Sequence, residues 1–411
     1  MGIFRGILTG VLGLAFLGAV GNLGYLALTG TDRAEGPATV APPPIPAPVA
    51  AATPVAGVAP AAQAEARAEG PASVWPAALA GLVTRTAATA APLQAPKDVP
   101  ARSLTDAQIE AVEAEWRGWM AEAALSEGAM ALALPDGRVI GAGLGRDAAA
   151  RAPVASLSKA ITGLCLDGLL AERGMGWDTA LGDIDAEMSA AGVTPRPWNE
   201  GITLAGLVTH TAGLQPDLTQ GDLVGRTHGA LGLHRRVASE ALAEGAIRGT
   251  PGSSFYSNTN FAVLGVVIEA LSGRSYAETC MARVIAPANV EAAVIEGRMG
   301  SMSAYAGWEI SAEDYARLAR HWFAAGQPHV DAPPSRPDAD GYAMGYAISG
   351  AGREAEVTHN GRLCFDEAAR EGHGATFVAT GAGIAFAANW GNCIDRTRYT
   401  QLIDRILPHL R

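Results

Sequence analysis

Lysine is almost missing from this 411-residue chain. Of its 30 basic residues only Lys97 and Lys159 are lysines, and the rest are arginine. No run of basic residues occurs and the formal net charge is -11. This excludes a phosphate-binding surface built on clustered cations, and nucleic acid with it as a partner. There is no His-Glu-x-x-His run, so a zinc hydrolase lacks its ligands. Without a Gly-x-Ser-x-Gly elbow, a conventional Ser-His-Asp esterase lacks its nucleophile turn. Cysteine is scarce as well, with four residues. Cys165 and Cys280 lie in apolar, helix-like stretches and read as buried thiols. Cys364 and Cys393 fall in loop-like surroundings, where a bridge is expected if the domain is exported to an oxidising compartment.

Scarcity gives Lys159 its weight. Arginine serves wherever a plain positive charge is enough, but a guanidinium cannot act as a base, whereas a desolvated ammonium can lose its proton. Lys159 stands in Val154-Ala-Ser-Leu-Ser-Lys-Ala-Ile-Thr-Gly-Leu164, a stretch that continues as an apolar helical pattern. Ser156 and Lys159, three residues apart, share one helix face. The amine can take the serine proton while the helix N-terminus adds positive potential. Alone, Ser-x-x-Lys is a common chance match, and a solvated serine beside a surface lysine is the bland alternative.

Residues 6–31 hold no charge and follow Met-Gly-Ile-Phe-Arg5. About 24 such residues span about 36 Å as a helix, enough to cross a hydrocarbon core of about 30 Å. Residues 1–31 are therefore expected to form a membrane anchor, with a cleaved signal segment as the alternative, for which Ala27-Leu-Thr29 is a poor cleavage site. Arg5 orients the N-terminus inside and the remainder outside. Gly6 and Gly10 fit a helix-pairing pattern, which carries little weight in a glycine-rich chain. Residues 32–102 are dominated by alanine and proline and read as a disordered linker with a reach of about 45–50 Å as a flexible coil.

Residues 103–411 read as one folded domain. A helix from about Asp106, a strand from Ala129 and a tight turn at Pro135-Asp-Gly137 lead to a returning strand, with the Ser156 helix following to about 172. Helical patterns then occupy a helix capped by Thr203 and ending at Gly213, residues 236–246, 260–287 and 310–324, the last capped by Ser311. Strands are expected at 342–348, 354–359, 375–379 and 383–389, with a closing helix over 395–407 that stops near Pro408. The opening hairpin and closing meander join most simply into one sheet covered by the first and last helices. The fold class is α/β of the α+β type: an antiparallel sheet flanked by helices, plus a mostly helical second lobe, with a cleft at their seam.

Two more clusters follow. In Tyr256-Ser-Asn258 an extended backbone sends the phenol and the amide to the same side, although a lone Tyr-x-Asn is more often structural. In His359-Asn-Gly361 a strand ends in a histidine, and the glycine admits a close approach. A lone histidine there is more often an ordinary surface or core residue.

Taken in order, Ser156-x-x-Lys159, Tyr256-x-Asn258 and His359-x-Gly361 resemble the penicillin-recognising serine hydrolase family. That family includes class C beta-lactamases, D-alanyl-D-alanine carboxypeptidases, esterases and D-amino-acid amidases. Leu207-Val-Thr-His-Thr-Ala-Gly-Leu214, Pro251-Gly-Ser-Ser-Phe-Tyr-Ser-Asn258 and Gly265-Val-Val-Ile-Glu-Ala-Leu-Ser-Gly273 resemble it too. The resemblance implies a beta-lactamase/transpeptidase-like fold, an acyl-enzyme mechanism and no metal or organic cofactor. It assigns Ser156 as nucleophile, with Lys159 and Tyr256 sharing the proton work; which of the two is the base stays open. Asn258 is to hold the lysine and the substrate's amide oxygen, and the backbone N–H groups of Ser156 and Arg362 are to form the oxyanion hole.

Two departures bear on substrate. His359 stands where many members place a lysine that attracts a substrate carboxylate, and imidazole is a weaker anchor; Arg362 and Arg353 are candidates to restore the charge. Residues 362–373 read as an insertion at the mouth of the site, pinned by a Cys364–Cys393 bridge, which unsettles the Arg362 assignment. The expectation is an anchored extracytoplasmic serine hydrolase acting on a small amide, peptide or ester, with D-amino-acid peptides of the cell wall among its substrates. Its partners are that substrate and, through residues 1–31, a membrane. The alternatives are a class C-like beta-lactamase and an inactive relative that binds peptidoglycan or a partner.

Overall fold

Alternation of small and large side chains along the strands gives the sheet two unlike faces. The computed structural model describes residues 103–219, 233–246, 248–290, 302–333 and 341–411. The anchor, its Gly6–Gly10 pattern and the linker expected within residues 1–102 lie outside them. Among the described residues no helix is long and apolar enough to cross a membrane. Among the described residues eight strands run β1 (Gly128–Ala133), β2 (Val139–Leu144), β3 (Ala152–Pro153), β4 (Glu309–Ile310), β5 (Ala347–Ser349), β6 (Glu356–Asp366), β7 (Glu371–Thr380) and β8 (Ala385–Gly391). Six form one antiparallel sheet in the order β2-β1-β8-β7-β6-β5, and β3 pairs with β4. As expected, the opening hairpin joins the closing meander, here through β1 and β8 with Ala131 opposite Ala387.

Ala129, Ala131, Ala133, Ala375, Ala385 and Ala387 face one core, while Met130, Leu132, Val378, Phe386 and Trp390 face the other. The large residues are covered by two helices, α1 (Asp106–Glu122) and α5 (Arg396–Leu410). Thr105 and Gln108 form a capping box that starts α1, and Asp395 caps α5. Trp119 packs edge-on to Trp390 and donates its indole N–H to Arg398 O at 2.8 Å. The alanine face lets helix α4 (Ala312–Trp322) lie close against β1, β7 and β8. Ser311 caps α4 as expected. The second lobe surrounds helix α3 (Asn258–Ser272), buried almost throughout, against which α2 (Ser158–Arg173) and the shorter helices Leu204–Val208 and Leu233–Ala241 pack.

Several expectations need correction. The helix from Thr203 stops at Val208, before Gly213, because His210 takes a positive φ of 61°. The pattern over 260–287 is broken: α3 ends at left-handed Gly273, and a Ser275-Glu278 capping box starts a separate helix, Tyr276–Cys280. Pro408 lies inside α5, which runs on to Leu410. Of the strand expected at 342–348 only β5 forms, with Tyr342 bridging to Ala347. Cys165 and Cys280 are not free thiols: they form a disulfide, Cα atoms 5.2 Å apart, that ties α2 to the Tyr276–Cys280 helix. The expected Cys364–Cys393 bridge is present, Cα–Cα 5.3 Å.

One buried carboxylate locks the second lobe. Glu269, only 7% exposed, accepts hydrogen bonds from His234 Nε2 (3.1 Å), Arg235 Nε (2.7 Å) and Tyr276 N (3.2 Å). Burial alone raises its pKa, but the bonds from His234 and Arg235 outweigh this and hold it at about 2. A carboxylate pKa depressed on folding stabilises the protein above its unfolded value, and the contribution fades as pH falls through that value toward the folded one. Glu269→Gln should therefore cost on the order of 3 kcal/mol at pH 7. In urea titrations the gap between wild type and variant should narrow by pH 3.

Candidate active site

The turn that presents Ser156 is braced from both lobes. Val154 N–H donates to Trp308 O at 3.1 Å. Ala155 follows with a φ of 51°, a left-handed conformation that costs a non-glycine residue about 1–3 kcal/mol. Ala155–Leu157 make one 3-10 turn that runs into α2, so Ser156 sits just ahead of that helix's N-terminus. The Tyr315 hydroxyl donates to Leu157 O (3.0 Å), and Trp308 N–H to Ser158 Oγ (3.2 Å). From the sheet, Gly361 of β6 closes against this turn: a Cβ there would run into Val154 O and stand 3.1 Å from Ser156 N.

Lys159 is fully buried. Its Nζ lies 2.9 Å from Ser156 Oγ, 2.6 Å from Asn258 Oδ1 and 2.9 Å from Tyr305 O. Burial lowers its pKa to about 7, with the negative charge of Asp217 partly opposing. A neutral amine keeps two N–H bonds and one lone pair. When Asn258 and Tyr305 accept the two N–H bonds, the lone pair is left for the Ser156 hydroxyl.

Tyr256 is 46% exposed, and its ring centre stands 5.1 Å from Lys159 Nζ. Burial of its hydroxyl end raises the phenol pKa above the ordinary range, opposed in part by a hydrogen bond with Ser156. The amine is thus the group that changes charge near neutrality. Ser257 is extended (φ -146°, ψ 130°), so Tyr256 and Asn258 share a side as expected. Asn258 meets Lys159 through its oxygen. One of its two amide N–H bonds goes to Thr219 Oγ1 at 2.8 Å, which leaves one for a substrate oxygen.

His359 is half-buried in β6. Burial, with the Lys159 charge adding to it, lowers its pKa to about 3, so the imidazole is neutral at physiological pH. The strand does not end there: β6 runs to Asp366 and returns as β7, with Arg362 opposite Gly374 and Cys364 opposite Gly372. The insertion expected at residues 362–373 thus takes the form of a hairpin that extends the sheet, its ladder continuing past Gly361. Arg362 directs its guanidinium to Ile394 O (3.1 Å), Glu367 (2.6 Å) and Cys393 Sγ (3.4 Å). Arg353 lies in the turn before β6, beside Gly381. The Arg362 guanidinium is thus engaged away from His359.

Sequence reasoning missed several contributors. The Tyr305 carbonyl is a backbone group with no sequence signal. Asp217 and Thr219 stand beside Asn258 but belong to no motif. His210 is buried within a phrase already noted for its resemblance. Its Nδ1 accepts from Ser257 N (3.3 Å) and Asn260 Nδ2 (3.0 Å), which puts the proton on Nε2, 3.2 Å from the Tyr342 hydroxyl. His210 thereby lies under the Tyr256 ring, centres 4.3 Å apart, and Tyr342 reaches to 5.8 Å from His359.

The beta-lactamase family model matches residues 120–392. The chain belongs to this family of penicillin-recognising serine hydrolases. Solved structures with a similar fold include D-amino acid amidase from Ochrobactrum anthropi SV3 complexed with L-phenylalanine (TM-score 0.58, 14% identity, 74% of this chain and 98% of that one). Another is a beta-lactamase/D-alanine carboxypeptidase from Pseudomonas syringae (0.56, 15%, 74% and 99%). A third is the octameric penicillin-binding protein homologue from Pyrococcus abyssi (0.56, 18%, 74% and 77%). No curated protein matches the chain.

The contact at Gly361 generates a direct test. Gly361→Ala should push the Ser156 turn out of line, and a displacement of about 1 Å is worth on the order of 10²-fold in rate. Fluorophosphonate labelling of Ser156 should slow by that order while the circular dichroism spectrum stays native. Labelling at the wild-type rate would show that β6 does not set the turn.

Proposed function

We propose that this chain is an extracytoplasmic serine hydrolase that forms an acyl-enzyme on Ser156 with a small amide, peptide or ester, D-amino-acid peptides of the cell wall included. The observation that carries this reading is a serine hydroxyl 2.9 Å from a buried amine whose pKa is about 7. Lys159 takes the Ser156 proton as Oγ attacks the substrate carbonyl. The negative oxygen that develops is held by the backbone N–H groups of Ser156 and Arg362, each donor in such a site being worth about 3 kcal/mol. Tyr256, a neutral phenol bonded to Ser156, passes the proton from Lys159 to the leaving nitrogen or oxygen as the carbonyl bond to it breaks. Water then attacks the ester by the same route in reverse, and Ser156 regains its proton.

A neutral His359, with the Arg362 side chain engaged elsewhere, favours substrates without a carboxylate beside the scissile bond. This weighs against a class C-like beta-lactamase. The complete set of catalytic side chains within bonding distance weighs against an inactive binding relative. Two disulfides among the described residues support an oxidising compartment outside the cytoplasm, and uncharged residues 6–31 support an anchor in the membrane.

Fluorophosphonate, or a fluorescent penicillin, should add a single label that Ser156→Ala removes; folded wild type that takes up neither favours the binding reading. Lys159→Arg keeps the charge and removes the base, so turnover of a short-chain ester should fall by about 10²–10⁴-fold. The pH dependence follows from the free amine being the active form. Below about pH 7, kcat/KM for a neutral ester should drop tenfold per pH unit, and above it should level off. A rate flat from pH 5 to 8 would remove Lys159 from the role of base.

A further inference from the structure

We propose that Asp217 and Thr219 are positioning residues for the lysine: together they fix the Asn258 amide so that its oxygen, and not its nitrogen, faces Lys159. The inference rests on the reading of Lys159 as base. Thr219 Oγ1 lies 2.8 Å from Asp217 Oδ1 and 2.8 Å from Asn258 Nδ2. A hydroxyl has one proton to give. A carboxylate can only accept, so that proton goes to Asp217, and Thr219 is left to accept from the Asn258 amide nitrogen. The amide oxygen is thereby turned to Lys159 Nζ, 2.6 Å away. Were the amide reversed, two donors would face each other at Lys159 and two acceptors at Thr219.

The short segment that carries the pair is itself tied down. Asp217 Oδ1 also accepts from Thr219 N (3.0 Å), Asp217 Oδ2 from Asn258 N (3.0 Å) and Thr259 Oγ1 from Leu218 N (3.0 Å). Asp217 thus caps the start of α3, which alone is a structural duty. The position of its charge gives it a second one. Lys159 is faced by Ser156 from the turn just ahead of α2, Tyr256 and Asn258 from the second lobe, the Tyr305 carbonyl, and His359 from β6. Among the described residues acting on it, Asp217 is the acidic one, and its charge opposes the effect of burial. The carboxylate acts at one remove, through Thr219 and Asn258, and so favours the ammonium without pairing with it.

The scarcity of lysine supplies the measurement. With only Lys97 and Lys159 in the chain, protein grown on lysine labelled with ¹³C at Cε gives two signals, and Lys97→Arg identifies the second. Asp217→Asn should lower the titration midpoint of Lys159 by about one pH unit. Thr219→Val should lower it in the same direction by freeing the amide, while Thr219→Ser keeps the wild-type midpoint. With p-nitrophenyl acetate as probe, Thr219→Val should lose kcat at least tenfold with little change in KM, and Thr219→Ser should restore it. Wild-type midpoints in both Asp217→Asn and Thr219→Val would overturn the proposal and leave Asp217 a helix cap. If Asp217→Asn fails to fold, the Val and Ser variants of Thr219 decide alone. Should wild type neither turn over the ester nor take a phosphonate label, the hydrolase reading falls, yet the lysine titration still decides the positioning.

Discussion

The site depends on keeping an amine out of water without giving it a carboxylate to pair with. Lys159 is buried and meets three uncharged oxygens. A carboxylate in contact would favour the ammonium by about one to three pH units, and the amine would then hold its proton at neutrality. Burial with neutral acceptors does the opposite. The rest of the structure follows from delivering those acceptors. The Tyr305 carbonyl comes from a four-residue helix, Ser303–Ala306, which Thr162 grips by donating to Ala304 O at 2.6 Å. Thr162 also meets the Tyr276 hydroxyl, itself an acceptor for the Trp308 indole at 3.0 Å. The Cys165–Cys280 disulfide fastens the same helices beneath.

A second constraint is the strained Ala155 ahead of Ser156. Its left-handed conformation persists because the bonds around it arrive from different parts of the chain: Trp308 and Tyr315 from one side, the bare Gly361 of β6 from the other. The sheet and the helical lobe therefore both determine where Oγ points. Gly345, at φ 86°, makes a similar close approach to the backbone of Lys159, so Lys159 and Ser156 are each backed by a glycine from the C-terminal part of the chain.

What could be read in the amino-acid sequence was local. Ser156 and Lys159 lie on one helical stretch, and Tyr256 and Asn258 on one extended tripeptide, so spacing alone reported their geometry. The opening hairpin and the closing meander, each with an apolar face to cover, similarly pointed to one sheet. Contributions from a distance left no trace. The Cys165–Cys280 pair is separated by 115 residues, and both members sit in apolar helical patterns that also suit buried thiols. Residues 362–373 contain charge and glycine and read as an insertion, yet residues 362–366 and 371–373 pair as strand around a turn at 367–370. Asp217 and Thr219 look like any polar turn, since their role appears only when Asn258, some forty residues later, is brought beside them.

Base strength and substrate choice then become one electrostatic problem. An ammonium at position 359 would repel Lys159 and press its pKa down; the neutral imidazole found there does not, so the amine's pKa reflects burial balanced against Asp217. A substrate carboxylate placed beside His359 would meet a neutral imidazole there rather than an ammonium. It would also add a second negative charge near Lys159 and raise its pKa, protonating the amine that the proposed mechanism needs free. A neutral amide or ester does neither. Under the proposed mechanism, histidine at position 359 thus disfavours a carboxylate beside the scissile bond twice, once in binding and once in the chemistry, and the second penalty exists only because the proposed base is an amine poised near pH 7.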